Sequence, residues 1–225
     1  MKRSPAAQIV GVIFSSADLR RAVRLSNPPD LFEVRLDAFA HRLGEVKTAI
    51  EKLRRPLIMT ARHPREGGEN QLSLRARRAL LLQFLPHAAY VDIELRSARA
   101  LAAVWEEAGA RHVRRIISFH DFSKTPGRAR LDRIAGDAQS LGADILKIAT
   151  RTDTSAQSAR LLEFFAATSP NLPIAAMGLG RLGKKSRRAL ACSGSVLNYA
   201  HLGDAPLPGQ PSLRELRSWT LDIER

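Results

Sequence analysis

Cysteine is almost absent from this 225-residue sequence, which contains only Cys192. One cysteine cannot form an intrachain disulfide, and it cannot supply a cysteine cluster that binds a metal. Such a composition is compatible with a reducing compartment, so we expect a cytoplasmic protein. Lys2 and Arg3 precede an apolar stretch that superficially resembles a signal peptide. Because the stretch is short and rich in β-forming residues, we interpret it as the first core strand.

Aromatic residues and long apolar runs are also scarce. Aromatic side chains make up only 5% of the sequence. No stretch approaches the ~18 consecutive apolar residues that a membrane span requires, and we therefore expect no membrane partner. Ala and Leu dominate a hydrophobic content of 44%. This composition favours helix-rich α/β packing over an all-β sandwich.

Acidic residues are outnumbered by basic ones, 22 against 36, which gives a net charge of +14. Nucleic acid is the first partner that such a charge suggests. The arginines are nevertheless spread along the chain, and the basic clusters lack the interleaved aromatic residues that stack on bases. We expect most of them on solvated helix faces, a few at an anionic ligand, and no nucleic acid as partner. A basic nucleic-acid-binding protein remains the alternative from a different functional class.

Short apolar runs alternate with longer helical segments eight times along the chain. The predicted strands are 8–14, 31–36, 57–61, 88–95, 113–119, 143–150, 173–177 and 195–199. The predicted helices are 17–25, 43–53, 72–85, 98–108, 128–141, 154–167, a short one near 186–190, and 213–223. Gly109 and Gly142 are predicted to end the fourth and fifth helices, and Asp153 or Thr154 to cap the sixth. The near-continuous apolar strands indicate a parallel sheet. Eight units at this length favour an α/β fold with a single (β/α)8 TIM barrel over residues 1–225.

The sixth predicted strand contains a lysine, Lys147, in its middle. Burying an ammonium group without a partner is costly, so a lysine at such a position needs a reason. A lysine in a dry pocket near other cations loses its proton more readily, and the neutral amine can attack a carbonyl. The alternative is a lysine at the end of the strand that extends its ammonium group to solvent.

Unusual polar residues follow or end six successive predicted strands, where a β/α barrel places its active site. In chain order they are Glu33, Arg35 and Asp37; Thr60, Arg62 and Glu66; Asp92 and Glu94; Ser118, His120 and Asp121; Lys147; and Met177, with Arg187 opening the next helix. Each has an ordinary explanation when it is considered alone. Glu33 and Arg35 could form a structural ion pair, and His120 could be a loop histidine without a task. Their shared position predicts that they converge on one mouth of the barrel.

The chain resembles the type I 3-dehydroquinate dehydratases of the shikimate pathway. The matching segments appear in the family's order between residues 32 and 210 and are Phe32-Glu33-Val34-Arg35-Leu36-Asp37, Thr60-Ala61-Arg62, Glu66-Gly67-Gly68, Val91-Asp92-Ile93-Glu94-Leu95, Ser118-Phe119-His120-Asp121-Phe122, Gly142-Ala143-Asp144-Ile145-Leu146-Lys147-Ile148-Ala149, Met177-Gly178, Ser186-Arg187, Gly194-Ser195 and Pro208-Gly209-Gln210. Each segment is short and carries little weight alone. The ordered set is specific.

The resemblance implies a lyase without cofactor or metal that converts 3-dehydroquinate to 3-dehydroshikimate by syn elimination. Lys147 would form a Schiff base, His120 would act first as base and then as acid, and Glu66 would orient His120. The positions that match the family's substrate contacts are Glu33, Arg35, Arg62, Met177, Arg187 and Gln210. Asp92 would support the site from below the histidine. The frequent dimers of the family suggest a homodimer.

Two residues depart from the family's pattern. Pro206 stands where the family's lid, here 204–210, usually has Ser or Thr, and Leu179 replaces a methionine. The lost hydroxyl predicts weaker substrate binding by about 1.5–3 kcal/mol. A class I aldolase also uses a lysine in a barrel, and Lys147 alone does not distinguish the two. The Glu66-Gly67-Gly68 loop and the Pro208-Gly209-Gln210 lid argue against an aldolase, while His120 beside Lys147 argues against a non-catalytic barrel.

Overall fold

Eight parallel β-strands with helices between them form the frame of this computed structural model, which describes residues 7–169, 172–203 and 209–221. The strands are β1 (Gln8–Ile13), β2 (Leu31–Arg35), β3 (Leu57–Thr60), β4 (Tyr90–Glu94), β5 (Arg114–Asp121), β6 (Ile145–Arg151), β7 (Ile174–Leu179) and β8 (Leu197–His201). The helices are α1 (Ser16–Arg24), α2 (Leu43–Ile50), α3 (Leu74–Phe84), α4 (Ala102–Ala110), α5 (Arg128–Ser140), α6 (Ser155–Thr168), α7 (Gly183–Cys192) and α8 (Leu213–Leu221).

The strands follow the order β7-β6-β5-β4-β3-β2-β1-β8, and the residues just before β8 approach β7 at the other edge of the sheet. Just before β8, the Val196 N–H donates to the carbonyl of Ile174 at 3.0 Å. One residue earlier, the Ser195 hydroxyl accepts the Ala176 N–H at 3.1 Å. These contacts connect β7 to β8, and the predicted single (β/α)8 barrel is confirmed.

Every predicted strand and helix has a counterpart in the structure, with shifted ends. The prediction that Gly142 ends the fifth helix is confirmed, because Gly142 follows α5 at a left-handed φ of 68°. Thr154 caps α6, and it forms a capping box with Gln157. Residues 222–223 of the predicted last helix lie outside the described residues. None of the helices in the described segments is long and apolar enough to cross a membrane.

Three of the shifted boundaries change the element to which a predicted residue was assigned, or its place in that element. Gly109 lies inside α4, because His112 provides the left-handed turn after that helix with a φ of 56°. His120 is not in a loop, because β5 continues to Asp121 by pairing with β6. Arg187 does not open α7, because the helix predicted near 186–190 already begins at Gly183, which places Arg187 in its second turn.

The interior of the barrel has an apolar floor below a polar layer. The floor includes Leu31, Ile58, Tyr90, Ile116 and Ile145. Because alternate residues of a strand point to the same side, the residues two positions further along also face inward. They are Glu33, Thr60, Asp92, Ser118 and Lys147, and all five are buried. The same alternation that builds the floor therefore gathers polar groups at the carboxyl half of the barrel.

We predict that Ser195→Ala destabilises the barrel at the contact between β7 and β8. The substitution leaves the buried Ala176 N–H without its acceptor, which costs about 1–3 kcal/mol of the free energy of unfolding. Urea denaturation measures this loss. Ser193→Ala removes a hydroxyl from an exposed residue two positions away and serves as the control. Equal stability of the two variants would show that the Ser195 contact does not hold the edges together.

Candidate active site

A cavity of about 310 Å³ opens at the carboxyl ends of the strands. The predicted site residues that line it are Glu33, Arg35, Arg62, Glu66, His120, Lys147, Met177, Arg187 and Gln210. Asp92 lies below the cavity and contacts Lys147. The structure therefore brings all ten predicted site residues to one mouth of the barrel. No group of three or more His, Cys, Asp or Glu side chains in the described segments is arranged to hold a metal ion.

Lys147 is buried, with 4% of its side chain exposed, so it does not extend to solvent. Its Nζ donates to Glu33 Oε1 at 2.9 Å and to Asp92 Oδ2 at 3.0 Å. The ring centroid of Tyr199 lies 4.1 Å from the same nitrogen. The nearest charged neighbours of the lysine are therefore two carboxylates, and the nearby cation Arg62 pairs with the same Asp92 carboxylate. Two carboxylates within hydrogen-bond distance can compensate a buried positive charge at this nitrogen, whereas nucleophilic attack requires the unprotonated amine.

Arg62 lies beside the lysine and binds the same carboxylate. Its guanidinium forms a bidentate pair with Asp92 at 3.0 and 2.8 Å, and it also donates to Ser118 Oγ at 2.6 Å. Burial would raise the pKa of Asp92, but the positive charges of Arg62 and Lys147 prevail and hold that pKa below its ordinary value. Asp92 therefore stays ionised between two cations.

Glu94 adds a third carboxylate to this buried cluster. It accepts from Arg62 at 3.2 Å, and its other oxygen forms an ion pair with Arg77 of α3. Most arginines were expected on solvated helix faces, and Arg77 is an exception, because it is buried. With Lys147, Arg62 and Arg77 opposite Glu33, Asp92 and Glu94, the cluster contains three cations and three carboxylates. Such a balance is what makes so many buried charges tolerable.

His120 is held by Glu66 from the turn that follows β3. Glu66 Oε2 lies 2.9 Å from His120 Nδ1 and accepts the His120 backbone N–H at 3.0 Å. Burial, together with the charges of Arg62 and Lys147, lowers the pKa of His120 well below its ordinary value. A neutral imidazole that donates from Nδ1 keeps Nε2 free as an acceptor. Burial also raises the pKa of Glu66 to about 7.

Arg35 fastens the loop after β3 to the end of β2. It forms a bidentate pair with Asp37 at 3.0 and 2.7 Å, and it donates to the Gly67 carbonyl at 2.7 Å. Asp37 also accepts the backbone N–H groups of Arg62 and Glu69, at 3.0 and 2.9 Å. Burial opposes ionisation, but Arg35 and these N–H groups lower the pKa of Asp37. The pair therefore fixes the loop that carries Glu66.

Arg187 enters the cavity from α7 and has no carboxylate partner among the described residues. It is buried and donates through Nε to the Gly178 carbonyl at 2.9 Å. Burial lowers its pKa to about 10, which still leaves the guanidinium charged near neutral pH. Met177 and Gln210 line the cavity with it. An uncompensated buried guanidinium facing a cavity is suited to an anionic ligand group. Residues 204–208 of the predicted lid, including Pro206, lie outside the described residues.

Tyr199 and Phe122 line the cavity but were not predicted as site residues. Tyr199 contacts Lys147 through its ring, and burial raises the pKa of its hydroxyl. Phe122 stacks on His120 with ring centroids 6.3 Å apart. The alternation along β8 would have placed Tyr199 inside, two residues after the inward-facing Leu197. Phe122 had no such signal, because it lies beyond the end of β5.

Comparison with known proteins gives a consistent result. The family model described as type I 3-dehydroquinase matches residues 13–222. The 3-dehydroquinate dehydratase of Thermococcus gammatolerans is 37% identical over 196 residues, covering 84% of this chain and 85% of that protein. The crystal structure of the 3-dehydroquinate dehydratase from Geobacillus kaustophilus covers 99% of this chain and 92% of its own, with a TM-score of 0.87 and 26% identity.

A further solved structure is similar and contains a covalent ligand. It is the type I 3-dehydroquinate dehydratase from Clostridium difficile with covalent modified comenic acid. Its TM-score is 0.84 at 27% identity, over 98% of this chain and 93% of that chain. A family model that matches nearly the whole chain, together with these relatives, shows that the chain belongs to the type I 3-dehydroquinase family of enzymes.

Proposed function

We propose that this protein dehydrates 3-dehydroquinate to 3-dehydroshikimate through an imine on Lys147. The main support is a buried lysine that contacts Glu33 and Asp92 and lines the same cavity as His120. His120 is oriented by Glu66, and its lowered pKa favours the neutral imidazole. Its relatives are 3-dehydroquinate dehydratases, and one of them was crystallised with a covalent ligand. The reaction belongs to the shikimate pathway. The homodimer and the cytoplasmic location stay predictions.

A proton on the carbon beside a ketone is only weakly acidic, and conversion of the ketone to an iminium makes it more acidic. Once Lys147 has lost a proton, its Nζ attacks the C3 carbonyl of the substrate, and water leaves to give a cationic iminium. That cation withdraws electrons from the neighbouring C2 carbon, which makes the C2 proton removable. Glu33 and Asp92 lie within 3.0 Å of Nζ and offset the positive charge of the iminium.

His120 is the proposed base and acid of the elimination. Its neutral Nε2 accepts the C2 proton, and the electron pair forms the C1–C2 double bond as the C1 hydroxyl departs. The imidazolium returns its proton to that hydroxyl, which leaves as water. One group on one face performs both transfers, which makes the elimination syn. A second water then hydrolyses the product imine and releases Lys147 and the C3 ketone.

The substrate's carboxylate is proposed to bind Arg187 with help from Gln210. Arg187 is the cavity guanidinium without a described carboxylate partner, and a guanidinium fork matches a carboxylate. Arg35 and Glu33 face the cavity and are suited to the ring hydroxyls. Arg62 also lines the cavity, but its terminal nitrogens already bind Asp92, Glu94 and Ser118. Its proposed part in binding is therefore electrostatic.

Apolar residues would keep the imine dry. Met177 and Leu179 line the cavity, and both are buried. Leu179 fills the position where the family often has a second methionine, so that departure keeps a similar volume. The aldolase alternative has only fold-level support, since a putative aldolase domain from Bacteroides vulgatus is 10% identical.

We predict that borohydride traps 3-dehydroquinate on Lys147. Reduction in the presence of substrate should add the mass of the reduced adduct to the peptide that contains Lys147, as measured by peptide mass spectrometry. Lys147→Arg keeps the positive charge but cannot form an imine, so it should give no adduct and no 3-dehydroshikimate. An adduct on another lysine, or product formation by Lys147→Arg, would contradict the proposed role of Lys147.

We predict that the kcat of the enzyme rises with pH through about 7, because burial raises the pKa of Glu66 to about 7. The sign follows from the charge: below this pKa Glu66 is protonated, and above it the carboxylate stabilises the imidazolium that forms on His120. Glu66→Gln should lower kcat roughly 10- to 100-fold, the value of one hydrogen bond to a charged group, and should abolish this rise. Initial rates from pH 5 to 9 measure both effects.

The matched control for Glu66→Gln is Glu69→Gln. Glu69 is an exposed acid of the same loop, and it lines the same cavity. We expect it to change the overall rate less and to keep the rise near pH 7. A rise that survives in Glu66→Gln would assign the titration to another group.

A further inference from the structure

Arg77 is the large buried charged residue that the proposed mechanism leaves without a task. It belongs to α3 in the outer layer of helices, and only 1% of it is exposed. Its neighbour Arg78 on the same helix is exposed. Arg77 does not line the cavity, so it cannot contact a substrate there. A buried guanidinium is expensive, which makes its contacts informative.

The guanidinium of Arg77 connects three parts of the barrel. Its Nε donates to the Ala61 carbonyl at 2.7 Å, directly after β3. One terminal nitrogen donates to Ser97 Oγ at 3.1 Å, in the turn after β4. The other forms an ion pair with Glu94 at the end of β4. Arg77 thus reaches from the helix layer to the edge of the buried charge cluster.

Glu94 connects Arg77 to the residues of the active site. One of its oxygens pairs with Arg77, and the other accepts from Arg62 at 3.2 Å and from the His63 N–H at 2.8 Å. Arg62 in turn holds Asp92, which contacts Lys147. A continuous series of ion pairs therefore links Arg77 to the reactive lysine.

The balance of charge in this series depends on Arg77. Without it, Glu33, Asp92 and Glu94 would face only Lys147 and Arg62. The other ionisable groups that line the cavity are Arg35, Glu66, Glu69, His120, Arg187 and Tyr199, and none of them forms an ion pair with Glu94, which pairs with Arg62 and Arg77. Glu94 would then draw Arg62 away from Asp92, and Asp92 would hold the lysine ammonium more strongly.

We propose that Arg77 is a positioning residue for Lys147: by neutralising Glu94, it keeps Arg62 on Asp92 and keeps the charges around the lysine balanced. The proposal rests on Lys147 being the reactive amine of the proposed function. Arg77 itself touches no reacting atom. Its effect is electrostatic and geometric, transmitted through Glu94 and Arg62.

The test measures the reactivity of Lys147 without any need for the natural substrate. Formaldehyde and cyanoborohydride methylate a free amine, and peptide mass spectrometry gives the rate at Lys147. An uncompensated charge on the order of 10 Å away changes the fraction of free amine about tenfold at an effective dielectric constant of about 20. Arg77→Leu should therefore slow methylation about tenfold. Arg78→Leu removes the same charge from the exposed neighbour and should leave the rate unchanged.

Two further variants separate charge balance from packing. Glu94→Gln leaves Arg77 without a carboxylate, so it should speed methylation about tenfold, opposite to Arg77→Leu. The double variant Arg77→Leu/Glu94→Gln removes one charge of each sign and should return to within about threefold of the natural rate. Because replacing both members of a buried ion pair is often tolerated, this variant stays informative if Arg77→Leu does not fold.

Turnover of 3-dehydroquinate gives the parallel readout. Arg77→Leu should lower kcat about tenfold with little change in KM, and the double variant should recover most of kcat. Wild-type protein that does not convert 3-dehydroquinate would overturn the proposed function, and the methylation rates would still decide the role of Arg77. The proposal for Arg77 is overturned if Glu94→Gln and Arg77→Leu change methylation in the same direction, or if the double variant stays as far from the natural rate as either single one.

Discussion

The ion pairs of Lys147 with Glu33 and Asp92 are the interaction on which the rest of the site depends. A buried ammonium group needs nearby negative charge to compensate its own, and here two carboxylates lie within 3.0 Å of it. Two buried carboxylates in turn require further cations, which Arg62 supplies. The need to neutralise one lysine thus explains why charged side chains fill the upper half of an otherwise apolar barrel.

The barrel provides this arrangement with little special structure. Each of the five strands from β2 to β6 first contributes a residue to the floor and then, two residues later, a polar one, as in Ile145 followed by Lys147. Arg62 follows the end of β3, Glu94 is the last residue of β4, and Arg77 reaches the cluster from α3 in the outer layer of helices. The acid–base unit lies next to this cluster, where His120 is paired with Glu66 from the turn after β3. Burial, together with the positive charges of Arg62 and Lys147 in the cluster, lowers the pKa of His120 and favours its neutral form.

The strands, the helices and the polar residues at the strand ends were predictable, because each depends on residues that are close together in the sequence. Eight apolar runs with helical segments between them predicted the barrel fold. The polar residues at the strand ends predicted the position of the active site at one mouth of the barrel. Lys147 was conspicuous because its strand is apolar on both sides. The ordered motifs, and not the pattern, led to the family and to the proposed roles of Glu66, Arg187 and Gln210. The family is confirmed by the comparisons, whereas these roles stay proposals.

What the sequence did not reveal depends on contacts between distant elements. Arg77 occurs in a stretch of arginines with helical spacing, and nothing local distinguishes the buried one from its exposed neighbours. The immediate partners of Lys147 are carboxylates from β2 and β4, a pairing that only the closed barrel creates. The helix end near Gly109 was misjudged because His112 adopted the left-handed turn that a glycine usually takes.

The most direct measurement is a crystal structure of the protein after borohydride reduction with 3-dehydroquinate. We expect continuous density from Lys147 Nζ to C3 of the ligand, with the ligand's carboxylate on Arg187. We also expect His120 Nε2 within about 3 Å of C2, the reach of a general base. An unmodified Lys147, or an adduct whose carboxylate points away from Arg187, would contradict the proposed mechanism.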